Sequence, residues 1–427
     1  MCLGESSDPP RLGRPVFIAF LARFVTRRPA MPLDLVQTLS ELVAIPSVNP
    51  MGQNVSGPEY FEYRVTEYLE TLFDQLGLPH QRQFVDEKRE NIVARLEGGT
   101  PPEEGGELIL FEAHQDTVPV EGMTIDPWKP QLREGKLFGR GACDIKGGMT
   151  AMLSAISRLS ETSPEGRPTI IMACTVNEEH GFSGALELTR LWEPGVRSLI
   201  PRRPDMAIVA EPTGLNVVVA HKGTIRWRCR VHGKAAHSSQ PRLGENAIYK
   251  MAHALHSLEA YQHEAAATLG NHPLCGQATL SVGMIHGGLS VNTVPDLCTI
   301  EIDRRLLPGE DALTAYGKVL KFMAEYPGVD FELDHEMPYL IGAALSDEAN
   351  GSLADRLAED VQQLVGQVHK IGVPYGTDAA TFAEDGIPTV VFGPGSIDQA
   401  HTADEWIALD ELQRASEILY RFGRGSG

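Results

Sequence analysis

Five short apolar runs, NIVARLEG, ELILFEAHQD, TIIMACTVNEE, MAIVAEPTG and IPTVVFGPG, constrain this chain more than any other feature of it. They read as strands buried on both faces, with helical patterns such as GGMTAMLSAISRL between them. The alternation predicts an α/β fold in which a large, mostly parallel sheet is sandwiched by helices. Two amphipathic stretches precede it: LDLVQTLSELVAI, ended by Pro46, and YFEYRVTEYLETLFDQLG, closed by Gly77.

The pattern changes near residue 222. TIRWRCRVHG alternates, with Ile225, Trp227, Cys229 and Val231 on one face and Arg226, Arg228 and Arg230 on the other, so one face of this strand is wet. A helix over 245–264, strands over 278–285 and 297–305, a helix over 311–325 and the strand VDFEL complete a β-α-β-β-α-β order, that of a ferredoxin-like α+β unit. The expected division is therefore a catalytic domain, 31–221 and 336–427, with residues 222–335 inserted into it. Residues 1–30 stand apart, with four prolines and five arginines, and read as a disordered tail or a start upstream of Met31, a docking helix or a targeting segment being the alternatives.

Composition removes several classes of function. With 57 Asp and Glu against 37 Lys and Arg, the net charge is -20, and no basic run is long enough to follow a phosphate backbone. No apolar stretch reaches the roughly 18 residues of a membrane span. The six cysteines are scattered without CxxC pairing and read as reduced thiols. The expectation is a soluble cytoplasmic enzyme that binds neither nucleic acid nor membrane.

The chemistry lies where the apolar runs end. His114 and Asp116 follow ELILFEA, Glu178 and Glu179 follow TIIMACTVN, Glu211 follows MAIVA, and His401 lies beyond IPTVVFGPG. In open α/β sheets ligands collect at the carboxyl ends of strands, so these distant residues can converge. His114 and Asp116 are two apart on a strand, which lets Asp116 accept the second imidazole N–H and orient His114, although a solvated strand end reads equally well. Asp144, in the glycine-rich GRGACDIKGG, reads as a ligand or as a helix N-cap. Adjacent Glu178 and Glu179 repel unless a cation or a shared proton offsets them. Two histidines, an aspartate able to bridge and two glutamates suit a pair of Zn²⁺ ions about 3.5 to 4 Å apart, with Co²⁺ or Mn²⁺ as alternatives, and leave one carboxylate as a base.

The motifs HQDTVP, GRGACDIKGG, NEEHG, AEPTG, AAHSS, NTVP with DRR, GTDAA and AHTADE occur in one order from about residue 34 to the end. In this the chain resembles the zinc metallopeptidase family of acetylornithine deacetylase, succinyl-diaminopimelate desuccinylase, aminoacylase and glutamate carboxypeptidase. The resemblance implies that Asp144 bridges two metals, that His114 and Glu211 complete one site, and that Glu179 and His401 complete the other. It implies Glu178 as general base for the water between them, Asp116 behind His114, and His237 of AAHSS reaching across a homodimer to the partner's oxyanion. Asn292, Arg305, Gly376 and Thr377 match positions that approach the substrate, with Arg304 leaving the register of that arginine open by one. The homodimer would form through the inserted unit.

For the substrate, EPT around Glu211 and the stretches AHKG, AAHSS followed by GENAI, and GPGSIDQAH look most like acetylornithine deacetylase. The expectation is removal of an N-acyl group, acetyl first, from an amino acid such as N-acetylornithine. Desuccinylation, carboxypeptidase or dipeptidase action, and binding without catalysis are the alternatives.

Overall fold

Every residue of the strand Leu108–His114 is buried, and so is every residue of Thr169–Thr175, so neither side of these strands meets water. Their side chains divide by parity. Ile109, Phe111, Ala113, Ile170 and Met172 join one apolar cluster; Leu108, Leu110, Ile171 and Ala173 join another on the opposite face. A sheet with two apolar faces must be covered twice, and the computed structural model, which describes residues 32–268 and 271–425 (265–268 by backbone only), meets that demand with two helical layers. Helices Leu35–Val43, Tyr63–Leu76, Lys146–Ser160, Gly351–Val365 and Leu409–Arg424 supply the first layer; Ser183–Thr189 and Ala379–Glu384 supply the second. The expectation for residues 1–30 lies outside the described residues.

The sheet has eight strands, ordered His80–Asp86, Arg89–Leu96, Thr169–Thr175, Leu108–His114, Met206–Val209, Thr389–Val391, Val217–His221 and Lys370–Val373. The four central strands run parallel. The hairpin 80–96 joins them antiparallel, as does Val217–His221 at a single pair, Val391 with Val218. NIVARLEG, expected among the parallel strands, is thus antiparallel to both neighbours. The sheet is mixed around a parallel centre.

Local capping follows the sequence. Asp34 accepts a hydrogen bond from the Gln37 amide at 2.8 Å to start the first helix, and Gly77 ends the second in the left-handed region. Gly147 and Gly148 lie where a Cβ would come within 2.5 Å of the Ala142 carbonyl or 2.9 Å of Ile145 Cδ1, so only glycine lets Lys146–Ser160 seat this close to the Asp144 turn.

The second sheet runs Thr279–Gly287, Leu297–Leu306, Gly223–His232 and Asp334–His335, with Leu340–Gly342 also pairing with Gly223–His232. Helices Ala247–Thr268 and Ala312–Glu325 cover the face of Ile225, Trp227, Cys229 and Val231. On the other face Arg226, Arg228 and Arg230 pair with Asp303, Glu301 and Glu336. Connectivity and strand order agree with the ferredoxin-like expectation. The expected strand VDFEL does not form: Phe331 and Leu333 pack on the helical core from irregular backbone, and the ladder is taken up by Asp334–His335 and then, beyond Pro338, by Leu340–Gly342. The small sheet therefore uses residues as far as 342, past the expected boundary at 335.

Candidate metal centre

Four central strands run in one direction, and the chain leaves each at the same edge. His114 ends its strand; Glu178 and Glu179 sit in the turn after Thr169–Thr175, where Asn177 (φ 63°) and Phe182 (φ 59°) bend the backbone sharply; Glu211 follows Met206–Val209. Asp144 lies in the turn before Lys146–Ser160, and His401, itself at φ 60°, lies after Thr389–Val391.

These residues form two groups sharing Asp144. One is His114, Asp144 and Glu211, the other Asp144, Glu179 and His401, and in each the ligand atoms lie within 4.8 Å of one another. His114 Nε2 is 3.2 Å from Asp144 Oδ1 and 3.9 Å from Glu211 Oε1. His401 Nε2 is 3.3 Å from both Asp144 Oδ2 and Glu179 Oε1. Asp144 therefore turns one oxygen to each histidine, the disposition a bridging carboxylate needs.

Asp116 departs from expectation. His114 Nδ1 lies 3.0 Å from the main-chain oxygen of Asp116, which it meets as donor, and 3.6 Å from its carboxylate. The ring is still oriented with Nε2 toward Asp144, but by the carbonyl. The carboxylate instead accepts the amides of Glu178 and Glu179 at 3.1 Å each, and the Asn49 side chain at 2.7 Å. Asp116 thus holds the turn that carries the glutamates. Nor does Asp144 cap the following helix, whose N-cap position is Ile145 without a side-chain bond.

Several supporting residues were given no role by the sequence, although Asp378 and Glu405 lie in the motifs GTDAA and AHTADE. Asn49 also contacts Asn177 and accepts from Arg89, which pairs with the buried Glu62. The Thr175 hydroxyl, paired in the sheet with His114, lies within hydrogen-bond reach of the carboxylates of both Glu112 and Asp378. The Glu405 carboxylate, on an irregular segment, accepts the amides of Gly141, Cys143 and Asp144. Each contact joins segments far apart in the chain, so no local pattern announces it.

The cluster is short of positive charge. Burial, then repulsion from Glu211, holds the Glu178 carboxyl well above the usual range, and burial with Asp144 does the same to Glu211. Burial raises Glu179 as well. For His401 burial favours the neutral ring, but Asp144 and Glu179 outweigh it and push the pKa up to about 10; His114 is raised in the same way by Asp116 and Asp144. Asp116 is pulled down to about 2 because His114 and Asn49 outweigh its burial. The donor set thus carries more carboxylate than its two histidines balance. Glu179 Oε1, moreover, is buried without a well-aligned hydrogen bond. Imidazole and carboxylate donors, excess negative charge and an orphaned oxygen between them fit divalent cations.

The remaining expected residues are elsewhere. His237 is exposed, with Nδ1 2.8 Å from Ser239 Oγ, and its short strand pairs with Thr293–Val294, which puts His237 beside Asn292. Arg305 is half-buried and tied through Nε to Asp303 at 2.8 Å, whereas Arg304 is buried against Glu310, so of the two only Arg305 keeps a guanidinium at the wet face. Thr377 is buried with its hydroxyl 3.1 Å from His221 Nε2, and Gly376 lies against the Lys222 carbonyl. Among the described residues, none of these five shares a hydrogen bond or ion pair with the candidate ligands.

Comparison with known proteins identifies the family. The profile of peptidase family M20/M25/M40 matches residues 110–424. Acetylornithine deacetylase of Vibrio campbellii is 31% identical over 379 residues, 84% of this chain and 90% of its own. Acetylornithine deacetylase of Proteus mirabilis is 31% identical over 398 residues, 90% and 94% of the two chains. In fold, the chain is similar to an M20 family metallo-carboxypeptidase from Sulfolobus solfataricus, with a TM-score of 0.71 at 18% identity over 92% of this chain and 99% of that one.

Proposed function

The chain belongs to peptidase family M20/M25/M40 and is a hydrolase of amide bonds, and from that premise we propose that it is a two-metal deacylase acting on N-acetylornithine or a close N-acyl amino acid. The observation that carries this reading is the pair of candidate ligand groups sharing Asp144, with Glu178, outside both groups, close enough to feel the charges of Glu211 and His114. His114 and Glu211 would hold one divalent cation, Glu179 and His401 the other, with Asp144 common to both. When bound there, zinc or a similar ion would polarise the amide carbonyl and make a water acidic at neutral pH.

The protein's own part is proton transfer and orientation. Glu178 takes the proton of the attacking water and delivers it to the leaving amine. Its amide is held by Asp116, which keeps the carboxylate at one place relative to His114. Arg305, with its terminal nitrogens unengaged among the described residues, suits the free carboxylate of an amino-acid product. His237 serves as donor to the developing oxyanion of a second copy of the chain. The outer edge strand Thr279–Gly287 and the exposed Leu289 and Val291 support a homodimer through the small sheet. We place the enzyme in the cytoplasm, consistent with the five cysteines among the described residues being buried and unpaired.

Steady-state hydrolysis by the zinc- or cobalt-loaded protein tests this, with N-acetyl-L-ornithine set against N-succinyl-diaminopimelate, other N-acetyl amino acids and dipeptides. Preference for N-acetylornithine, lost on chelation and restored by metal, is the expected result. A chelator-sensitive preference for a dipeptide would replace the deacylase reading with a peptidase one.

A further inference from the structure

Glu405 is wholly buried, yet it carries a carboxylate with its full set of donors. Oε1 accepts from the amides of Cys143 at 2.8 Å and Asp144 at 3.0 Å. Oε2 accepts from the Gly141 amide at 3.1 Å and from Arg140 Nη1 at 2.7 Å. Three amides of one turn aimed at a single point form an anion-binding concavity, and here the anion is a side chain. Gly141, Cys143 and Asp144 are themselves buried, so solvent cannot satisfy those amides if the carboxylate is withdrawn.

The same segment is sewn to the turn by its backbone. The Gly139 amide donates to the Glu405 carbonyl at 3.0 Å, and Trp406–Ala408 pairs antiparallel with Lys136–Phe138. Four residues earlier stands His401, whose Nε2 lies 3.3 Å from Asp144 Oδ2. One short stretch thus carries a ligand of one group and the clamp on the residue shared by both.

We propose that Glu405 is a positioning residue of the metal centre, setting Asp144 relative to His401 so that both cations are bound or lost together. The inference rests on the two-ion reading above. If Asp144 is common to both sites, an error in its place weakens both, whereas damage to His401 or Glu211 alone weakens one. Charge matters as well as shape: in Glu405→Gln one oxygen becomes an NH₂ group that faces amide or guanidinium donors and can accept from none of them.

The test is competitive titration of the metal-stripped protein with Co²⁺ against a chromophoric chelator, together with the visible absorption of the Co²⁺ form. Loss of outer-shell partners costs about 10- to 100-fold in metal affinity, and Glu405→Gln is expected to lose that much for both ions in step, with an altered Co²⁺ spectrum. Circular dichroism of the metal-free variant should still report a folded chain at the titration temperature. Wild-type affinity and spectrum for both ions in a folded Glu405→Gln would overturn the proposal, as would weakening of one ion alone. If that variant does not fold, Glu405→Asp carries the test with the same criteria, because it keeps the charge and shortens the reach by one methylene. Fewer than two ions on the wild-type chain would overturn the two-ion reading and this coupling with it; two ions held equally by both proteins would overturn the coupling alone.

Discussion

The strand ends of the large sheet and the exposed margin of the small one treat their polar residues in opposite ways. Around Asp144 the supporting residues find their partners inside the chain: Asp116 in two amides and Asn49, Glu405 in three amides and Arg140, His114 in a carbonyl. Around His237 the partners are local, Ser239 and the neighbouring Asn292 loop, and Leu289 and Val291 project fully into solvent. A site that must hold a fixed geometry is over-determined from inside. A site whose residues have no interior partner depends on something brought to it, here proposed to be substrate and a second copy.

The largest test of that contrast is Glu178→Gln. It should lower turnover by about 10² to 10⁴-fold, the range for loss of a general base, while metal content measured by mass spectrometry stays at the wild-type value. Unchanged turnover would remove Glu178 from the chemistry. Next, His237→Ala should lower kcat by about 10² to 10³-fold as an oxyanion donor is lost. Mixing it with Glu178→Gln should restore part of the activity, because a mixed dimer assembles one intact site. No recovery on mixing, with dimers shown by sedimentation, would confine His237 to its own protomer.

A second histidine sharpens the comparison. Burial holds His221, packed between Thr377 and the Lys222 carbonyl, down at about 4. Its folded pKa lies below the unfolded value of 6.5, so the unfolded chain binds the extra proton between them. Stability from this group is complete above about 6.5, falls as pH drops toward 4, and changes by about 3 kcal/mol at most. Urea unfolding of His221→Gln across that range should show a shallower pH slope than the wild type. An unchanged slope in His221→Gln would mean the ring titrates freely. The smallest effect belongs to the apolar margin. Leu289→Ser with Val291→Ser should change unfolding free energy by no more than about 0.5 kcal/mol, yet weaken self-association in sedimentation. Dimers as tight as the wild type would sink that margin as a contact.

How much of this was legible follows from how far each signal reaches along the chain. Leu108–His114 and Thr169–Thr175 announce themselves because a strand buried on both faces must be continuously apolar. His80–Asp86 does not, because as an edge strand it carries HQRQFVD, whose polar residues need no burial. VDFEL misled for the converse reason: Phe331 and Leu333 are apolar to fill a helical core rather than to pair.

The candidate ligands divide in the same way. That acids and histidines terminate the apolar runs is a local fact, and with the rule for strand ends it locates His114, Glu179, Glu211 and His401 at one edge of the sheet. That Asp144 turns one oxygen to each histidine, that Asp116 spends its carboxylate on the glutamate turn, and that Glu405 grips the Asp144 turn are facts of tertiary structure. Hydrogen bonds act over about 3 Å with directional limits, and the Glu405 contacts join residues more than 260 apart. Burial is a demand each segment states in its own composition; the choice of hydrogen-bond partner is made only when distant segments meet.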